Sequence, residues 1–257
     1  MSQNSINMSI FDQMKKPLEK ISYRGDLSLL DRPKVSIVGS RKPSQYTKRF
    51  THEIAKALAN RGVVVVSGAA MGVDAIAHSA AGVENTIAIL PTGIDIRYPS
   101  VNEELIKNIE QRGLIMSQFD DGFRATSWSF VLRNEVVVAL GDILVITEAD
   151  EGSGSMRSAE YALQMGKDIY VLPHQLDHSK GTNALLRKSK AKPIYDVEEF
   201  ASMFGDVVQS DIAKDEFYYF CQQSPTLDEA LANFGSRIYE AELEGIIVIQ
   251  DGRVILQ

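Results

Sequence analysis

Short apolar runs alternate with longer amphipathic stretches between residues 35 and 195. Each apolar run is three to five residues long and is followed by glycine, proline or a polar residue, which is typical of buried parallel strands. The predicted strands span residues 35–38, 63–66, 86–90, 114–117, 143–147, 169–172 and 193–195, and the predicted helices span residues 47–60, 73–81, 102–111, 130–140, 155–165 and 183–189. This alternation predicts an open, mostly parallel α/β sheet with helices on both faces.

The end of the chain has a different pattern. Three short amphipathic stretches are followed by two apolar runs that meet at Asp251-Gly252, and Asp-Gly between apolar runs is a strong hairpin signal. Three helices, predicted over 217–222, 227–234 and 236–244, and strands over 246–250 and 253–256 would form a small winged-helix-like module. We therefore expect an N-terminal segment that packs on the core (1–32), a sheet domain (33–205), a linker (206–214) and a winged-helix-like domain (215–257).

Charge and cysteine content restrict the class of protein. The 257 residues carry a net charge of -7, but residues 201–257 alone hold 3 Lys and Arg against 10 Asp and Glu. The rest of the chain is near neutral, so a polyanionic partner is compatible with the acidic total. The single Cys221 cannot form an internal disulfide, and no apolar run approaches membrane-spanning length. We predict a cytoplasmic protein without membrane contact.

The first predicted strand runs into a glycine turn with two cations. Gly39 permits a tight turn, and Ser40, Arg41 and Lys42 offer hydroxyl, guanidinium and ammonium donors where a helix should begin. This pattern predicts a phosphate-binding loop. An ordinary turn with solvated charges remains the alternative.

Two further loops at predicted strand ends contain small residues. Ser67, Gly68 and Gly72 follow the second strand and would leave backbone N–H groups exposed at a helix N-terminus, whereas close helix packing is the alternative. Gly154 and Ser155 open the helix after the fifth strand. In open sheets of this kind, ligands bind beyond the carboxyl ends of the strands, so we assign these loops to the same candidate site.

A predicted helix brings an aromatic residue close to a cation and an amide. Phe130 could stack on a base while Arg133 holds a phosphate and Asn134 donates hydrogen bonds. The alternative is that Phe130 belongs to the core, where aromatic residues are common.

A basic stretch over residues 180–192 includes Lys180, Lys188 and Lys190. These lysines would extend a groove for nucleic acid or simply solvate a helix face.

No motif for catalysis is present. The sequence contains no Gly-x-x-x-x-Gly-Lys-Ser/Thr and no Gly-x-Ser-x-Gly, and its four histidines lack the spacing of a metal site. We therefore predict no catalytic residue, metal or cofactor, and a protein that is not an enzyme.

Seven motifs, in this order, resemble the DNA-processing protein A family, also called Smf. They are Tyr-Arg-Gly-Asp-Leu at 23–27, Val-Ser-Ile-Val-Gly-Ser-Arg at 35–41, Ser-Gly-Ala-Ala-Met-Gly-Val-Asp at 67–74, Pro-Thr-Gly-Ile-Asp at 91–95, Phe-Val-Leu-Arg-Asn at 130–134, Ser-Gly-Ser at 153–155 and Lys-Gly-Thr-Asn at 180–183. The resemblance implies an extended Rossmann-like, doubly wound fold and a homodimer that binds and protects incoming single-stranded DNA. It also implies delivery of that DNA to a RecA-type recombinase in natural transformation.

One departure from the family pattern concerns charge. Glu135 stands where a further Arg is common, so we expect an acid near the groove.

The main alternative is a nucleotide-binding protein or a phosphoribohydrolase-type enzyme of the lysine-decarboxylase-like family. In that family a catalytic Glu would occupy the position of Ser158, so general acid–base help at a glycosidic bond has no obvious source here.

Overall fold

We describe the protein from a computed structural model, which defines residues 6–207, 216–243, 246–250 and 252–256. The chain forms two compact units, Met1–Val207 and Val208–Gln257. Of the predicted linker 206–214, only residues 206 and 207 are described, and the predicted domain boundaries stay predictions. None of the described helices is both long and apolar enough to cross a lipid bilayer.

The described part of the first unit contains one eight-stranded sheet. Its strands are β1 (Ser22–Gly25), β2 (Lys34–Val38), β3 (Val64–Ser67), β4 (Thr86–Ile89), β5 (Leu114–Ser117), β6 (Ile143–Ile146), β7 (Ile169–Val171) and β8 (Lys192–Pro193). They lie in the order β1-β5-β4-β3-β2-β6-β7-β8. All neighbouring pairs are parallel except β1 and β5, which are antiparallel with Ser22 opposite Ser117.

Helices cover both faces of this sheet. They are α1 (Gln45–Ala59), α2 (Val73–Ala81), α3 (Glu103–Arg112), α4 (Ser127–Leu140), α5 (Gly154–Gln164), α6 (Lys180–Arg187) and α7 (Val197–Ser202). Alternate strand residues point to opposite faces, so Ile87 and Ile89 of β4 pack with α4 while Ala88 packs with α3. Phe11 and Met14, which precede the sheet, join the α4 side of the core. The doubly wound α/β fold expected from the sequence is confirmed.

Most predicted strands and helices agree with the structure to within one or two residues. Strand β1 was not predicted, because all four of its residues are exposed and supply no apolar run. Helix α4 was predicted to begin at residue 130, but it starts at Ser127, where Thr126 and Ser129 form a capping box. Helix α6 likewise starts at Lys180 rather than at residue 183.

The second unit consists, in its described part, of three helices and a hairpin. They are α8 (Glu216–Cys221), α9 (Leu227–Phe234), α10 (Arg237–Leu243), β9 (Ile247–Gln250) and β10 (Arg253–Leu256). Its small core includes Phe217, Cys221, Ile238 and Val254. Asp251 of the predicted turn and Glu244 of the predicted third helix lie outside the described residues. The winged-helix assignment of this unit stays a prediction.

Candidate functional site

An open cleft lies where the chain reverses its direction of winding across the sheet. Strands β3, β4 and β5 lie in turn on one side of β2, and strands β6, β7 and β8 lie on its other side. The loops after β2 and β6 therefore diverge and leave the cleft between them. The cleft has a volume of about 290 Å³, and its walls include residues 38–41, 149–150 and 153–155 together with α4 side chains. The fold therefore places the predicted glycine loops at the point where open sheets bind ligands.

The loop after β2 presents an exposed arginine to the cleft. Gly39 packs against α2, because a Cβ at this position would lie 2.6 Å from Cγ2 of Val73. Arg41 is exposed, and its guanidinium lies over the ring of Phe130, 5.0 Å from the ring centroid. Among the described residues, no carboxylate lies within ion-pair distance of Arg41. Its charge is therefore available to a ligand.

Arg133 of α4 also lines the cleft, but it is only 3% exposed. Its Nη1 lies 3.7 Å from Oδ2 of Asp74 and donates a long hydrogen bond of 3.4 Å to the Ile89 carbonyl oxygen. A Cβ on Gly68 would lie 1.1 Å from Nη1 of Arg133. Only glycine therefore leaves room for the guanidinium beside this loop. Phosphate binding by Arg133 stays a prediction, and the structure adds that Arg133 forms a buried ion pair with Asp74.

The attraction between Arg133 and Asp74 does not fully offset the effect of burial on their pKa values. Burial lowers the pKa of Arg133; the Asp74 carboxylate opposes this shift, and the charge of Arg41 adds to it. Burial likewise raises the pKa of Asp74 despite its contact with Arg133 and its hydrogen bonds from backbone N–H groups. The cleft therefore holds two guanidinium groups close enough to affect each other, and burial disfavours the charged form of the one that pairs with Asp74.

The backbone N–H groups of the loop after β3 are used inside the protein. Those of Gly68 and Ala70 donate to Oδ2 of Asp74 at 3.2 and 3.3 Å, and that of Ala69 donates to Nε2 of His78 at 3.3 Å. The expectation that this loop offers free amides to phosphate is wrong for these residues, because two side chains of α2 already accept from them. Gly68 acts instead by making room for Arg133.

The remaining predicted residues of that loop also have structural partners. Ser67 is fully buried, and its hydroxyl donates to the Ile37 carbonyl oxygen at 2.6 Å, so its assignment to the ligand surface is corrected. Gly72 has a φ of +81°, which favours glycine, and a Cβ there would meet the backbone of Ser40 and Arg41. Gly72 thus allows the two loops to pack closely.

His78 anchors the same loop to the sheet. Because Nε2 accepts from Ala69, Nδ1 carries the proton and donates to Oγ1 of Thr86 at 2.5 Å, and Thr86 in turn donates to the Val65 carbonyl oxygen at 2.8 Å. Burial, reinforced by the charge of Arg133, lowers the pKa of His78 to about 3, so the imidazole is neutral. Ala69 is thereby held in a left-handed conformation with φ of +56°.

Phe130 and Asn134 lie beside Arg133 on the cleft side of α4. Phe130 is partly exposed and belongs to none of the described apolar cores, which excludes the core alternative. Its ring centroid lies 5.8 Å from that of Tyr98. Asn134 lines the cleft, and its Nδ2 donates to the Gly154 carbonyl oxygen at 3.3 Å.

The N-terminus of α5 forms the opposite wall. Gly154 begins this helix, and the Ser155 hydroxyl donates to the Gly39 carbonyl oxygen at 2.9 Å, which ties the loop after β6 to the loop after β2. The hydroxyls of Ser153 and Ser158 are buried at the cleft wall without a protein partner. Within the described residues, no cluster of His, Cys, Asp or Glu is arranged to hold a metal.

Four predicted lysines lie outside the cleft lining. Lys42, Lys180, Lys188 and Lys190 are exposed, and none of them contributes to the walls. Nucleic-acid binding by these residues stays a prediction.

The expectation that Glu135 adds an acid near the groove is wrong. Glu135 is only 6% exposed and accepts a hydrogen bond from the Lys15 backbone N–H at 2.8 Å, away from the cleft. It serves to hold the N-terminal segment.

Sequence reasoning also missed site residues. Asp74 and His78 had no assigned role, although their spacing of four places both on one face of α2. Met71 and Tyr98 line a small crevice beside the cleft, and Asp150 adds a carboxylate to the wall of the cleft itself. Tyr98 lies three residues after the Pro-Thr-Gly-Ile-Asp motif at 91–95. The sequence around it does not show whether its ring is exposed or packed.

The fold and this site define a Rossmann-like α/β protein with an arginine-lined cleft at its switch point. The family model for DNA recombination-mediator protein A matches residues 6–205, so the chain belongs to that family.

Relatives with established names support this membership. The chain is 36% identical over 154 residues to DNA processing protein DprA of Streptococcus pneumoniae, covering 59% of this chain and 54% of the relative. It is 31% identical over 223 residues to protein Smf of Escherichia coli, covering 83% of this chain and 59% of the relative. The chain thus spans a little over half the length of these two relatives.

Solved structures show the same fold. DNA processing protein A of Helicobacter pylori, whose structure concerns its single-stranded DNA binding mode, aligns with a TM-score of 0.75 and 42% identity over 77% of this chain and 93% of that one. DprA of Streptococcus pneumoniae aligns with a TM-score of 0.70 and 30% identity over 76% of this chain and 69% of that one.

Proposed function

We propose that this protein binds single-stranded DNA in the cleft at the switch point and passes it to a RecA-type recombinase. The observation that carries the proposal is the convergence of Arg41 and Arg133 on one cleft with Asp74 as the only carboxylate paired with either among the described residues. Two guanidinium groups with one counter-ion favour an anionic ligand, and phosphate matches their planar donor geometry.

The electrostatics of Arg133 support the same ligand. Burial and the neighbouring Arg41 charge both disfavour its protonated form. A phosphate bound between the two groups would supply the missing negative charge in a partly dry environment, where such interactions are stronger than in bulk water. Binding would therefore favour the protonated form of Arg133.

The wider role rests on family membership. Protection of incoming DNA, transfer to a recombinase in natural transformation and assembly as a homodimer are proposed for this chain from its membership of the recombination-mediator family. Loading would appear as faster single-strand-dependent ATP hydrolysis by a RecA-type recombinase on DNA pre-coated with a single-strand-binding protein. Light scattering of the purified protein would test the homodimer.

The salt dependence of DNA affinity tests the central proposal. Affinity of wild-type protein and Arg41→Ala for single-stranded and double-stranded oligonucleotides is measured across a salt series. Loss of one phosphate contact should lower the slope for single strands by about 0.7 log unit per log unit of salt. Arg112, exposed at the end of α3 and outside the cleft lining, provides the matched control Arg112→Ala. Equal slopes for Arg41→Ala and wild type, with intact fold, would contradict the proposal.

We also propose that the protein is not itself a catalyst. The cleft wall carries Ser158 where a phosphoribohydrolase would need its carboxylate, and a neutral hydroxyl cannot provide that general acid–base function. Incubation with nucleoside monophosphates should release no base. Base release that disappears in Ser158→Ala would favour the enzyme alternative.

A further inference from the structure

We propose that the N-terminus of α5 binds a terminal phosphate group, carried either by the end of a DNA strand or by a free nucleotide. The site consists of the backbone N–H groups of Gly154 and Ser155 and the hydroxyls of Ser153 and Ser158, which all belong to the cleft wall. For a strand end this inference rests on the proposed function, and for a free nucleotide it stands independently of that function.

The donors at this helix end have no acceptor within the described part of the protein. The first N–H groups of an α-helix have no partner inside the helix. Among the described residues, none accepts a hydrogen bond from the backbone N–H of Gly154 or Ser155. Ser153 precedes the helix, but its side chain does not cap it. The positive end of this 11-residue helix is therefore open to an anion.

Ser158 adds a buried hydroxyl to the same place. It lies three residues after Ser155 and four after Gly154, so the three residues share one face of α5. Helical side chains lean towards the N-terminus of their helix. Ser158 is fully buried and lines the cleft, and its hydroxyl has no hydrogen-bond partner among the described residues. Because burying a hydroxyl without a partner costs free energy, an oxygen of a ligand would stabilise it.

Space for a ligand lies directly beside the helix end. Among the described residues, a Cβ at Gly154 would approach only Nδ2 of Asn134, at 3.8 Å. Asn134 and the Gly39 carbonyl oxygen, which accepts from Oγ of Ser155 at 2.9 Å, bound this space on two sides. Such a bounded space suits a group at the end of a molecule better than a phosphodiester whose chain must leave on both sides.

The charges of the cleft favour a phosphate over a neutral end group. Arg41 and Arg133 line the same cleft. The two described carboxylates in its wall are already engaged, since Asp74 pairs with Arg133 and Asp150 accepts from the Lys180 backbone N–H at 3.3 Å. A terminal phosphate carries about -1.5 to -2 charges at pH 7 and three acceptor oxygens. It therefore offers more charge and one more acceptor than a phosphodiester within a strand.

The test measures how much an end phosphate improves binding. Affinities are compared for oligothymidylates with a 5′-phosphate, with a 3′-phosphate and with two hydroxyl ends, and for a hydroxyl-ended strand one nucleotide longer, which matches the number of phosphates. Thymidine 5′-monophosphate and thymidine are titrated directly by calorimetry. Wild type should bind at least one phosphate-ended ligand roughly ten-fold more tightly than its counterpart, the gain expected from one net hydrogen bond to a charged group.

Two substitutions locate this preference at α5. Ser158→Ala should reduce it roughly three-fold or more, and the free energy of unfolding should not fall, because the lost hydroxyl is buried without a described partner. Gly154→Asp should abolish the preference, because it places a carboxylate in the site, where the helix N-terminus stabilises it. Ser79→Ala changes an exposed helical serine outside the cleft lining and should keep the wild-type preference.

The outcomes separate this inference from the proposed function. If wild-type protein binds no single-stranded DNA, the proposed function fails, and the comparison of the nucleotide with thymidine decides this inference alone. A preference for a strand end supports DNA as the source of the phosphate, and a preference for the nucleotide alone supports a free ligand. If no phosphate-ended ligand binds more tightly than its counterpart, the site is refuted. A preference that Ser158→Ala or Gly154→Asp leaves at the wild-type level would also refute it, because the phosphate would then lie elsewhere.

Discussion

Adding a single methyl group at Gly68 should disrupt the cleft more severely than the size of the change suggests. The Cβ of Gly68→Ala would coincide with Nη1 of Arg133 and lie 2.7 Å from Nη2, so the guanidinium must leave its position. The φ of Gly68 lies outside the left-handed range, and alanine is therefore compatible with its backbone. The cost comes from the contact with Arg133.

The magnitude follows from the buried ion pair. Displacing Arg133 leaves Asp74, only 7% exposed, without its counter-ion. Breaking a buried pair in this way typically costs about 3 to 5 kcal/mol, and because the pKa of Asp74 is already raised, protonation limits the loss to the lower end. We expect the unfolding free energy to fall by about 3 kcal/mol, which corresponds to roughly 6 to 12 °C in melting temperature for a unit of this size.

Urea unfolding at pH 7, followed by the fluorescence of the single Trp128, measures this change in the first unit. The control is Gly154→Ala in the same cleft, where the nearest atom to a new Cβ is Nδ2 of Asn134 at 3.8 Å. We expect the control to lose less than about 0.5 kcal/mol. In an Arg133→Ala background the cost of Gly68→Ala should fall below about 1 kcal/mol. Equal effects at both glycines, or a cost that persists without Arg133, would refute this account.

Three further predictions concern titration, geometry and the acidic tail. Since the pKa of His78 is lowered to about 3, the unfolded imidazole binds a proton near pH 6.5 and the folded one does not, so stability falls as pH drops below 6.5. This group alone should cost about 2 kcal/mol between pH 7 and 5, and NMR resonances of His78 that titrate in this window would contradict it. Arg41→Lys should recover only part of the DNA affinity lost in Arg41→Ala, because an ammonium lacks the bidentate fork; full recovery would show a simple charge effect. A chain ending at Val207 should keep most single-strand affinity, since the removed residues 208–257 hold 9 acidic and only 3 basic residues; a folded fragment without affinity would show that the tail contributes.

Hydrophobic periodicity was sufficient to predict the sheet because its central strands are buried on both faces. Every residue of β3, β4 and β5 is buried, so each strand appears in the sequence as a continuous apolar run. Strand β1 lies at the sheet edge with all four residues exposed, and edge strands of this kind have no apolar signature. The start of α4 was missed for a related reason, since it depends on a local capping box rather than on an apolar face.

The site was predictable as a location but not as a set of contacts. Glycine and polar residues after β2, β3 and β6 identified three loops that the structure brings to one end of the sheet, and two of them line the cleft extensively. Which amides remain free depends on Asp74 and His78, whose side chains meet the loop only after α2 has packed. The burial of Arg133 depends on the absence of a side chain at Gly68, a contact between residues 65 positions apart.

These contacts determine how the cleft can recognise a ligand. Many phosphate sites in α/β folds use free backbone amides of a glycine loop, which fix one phosphate in one geometry. Here Asp74 and His78 already accept from the amides of Gly68, Ala69 and Ala70, so the phosphate donors of the proposed function are the guanidinium groups of Arg41 and Arg133. Arg41 is exposed and Arg133 is buried, so a ligand in the cleft would meet one accessible and one enclosed positive charge. Under the proposed function, binding through charge would depend little on base identity and would allow strands of different sequence to enter the cleft.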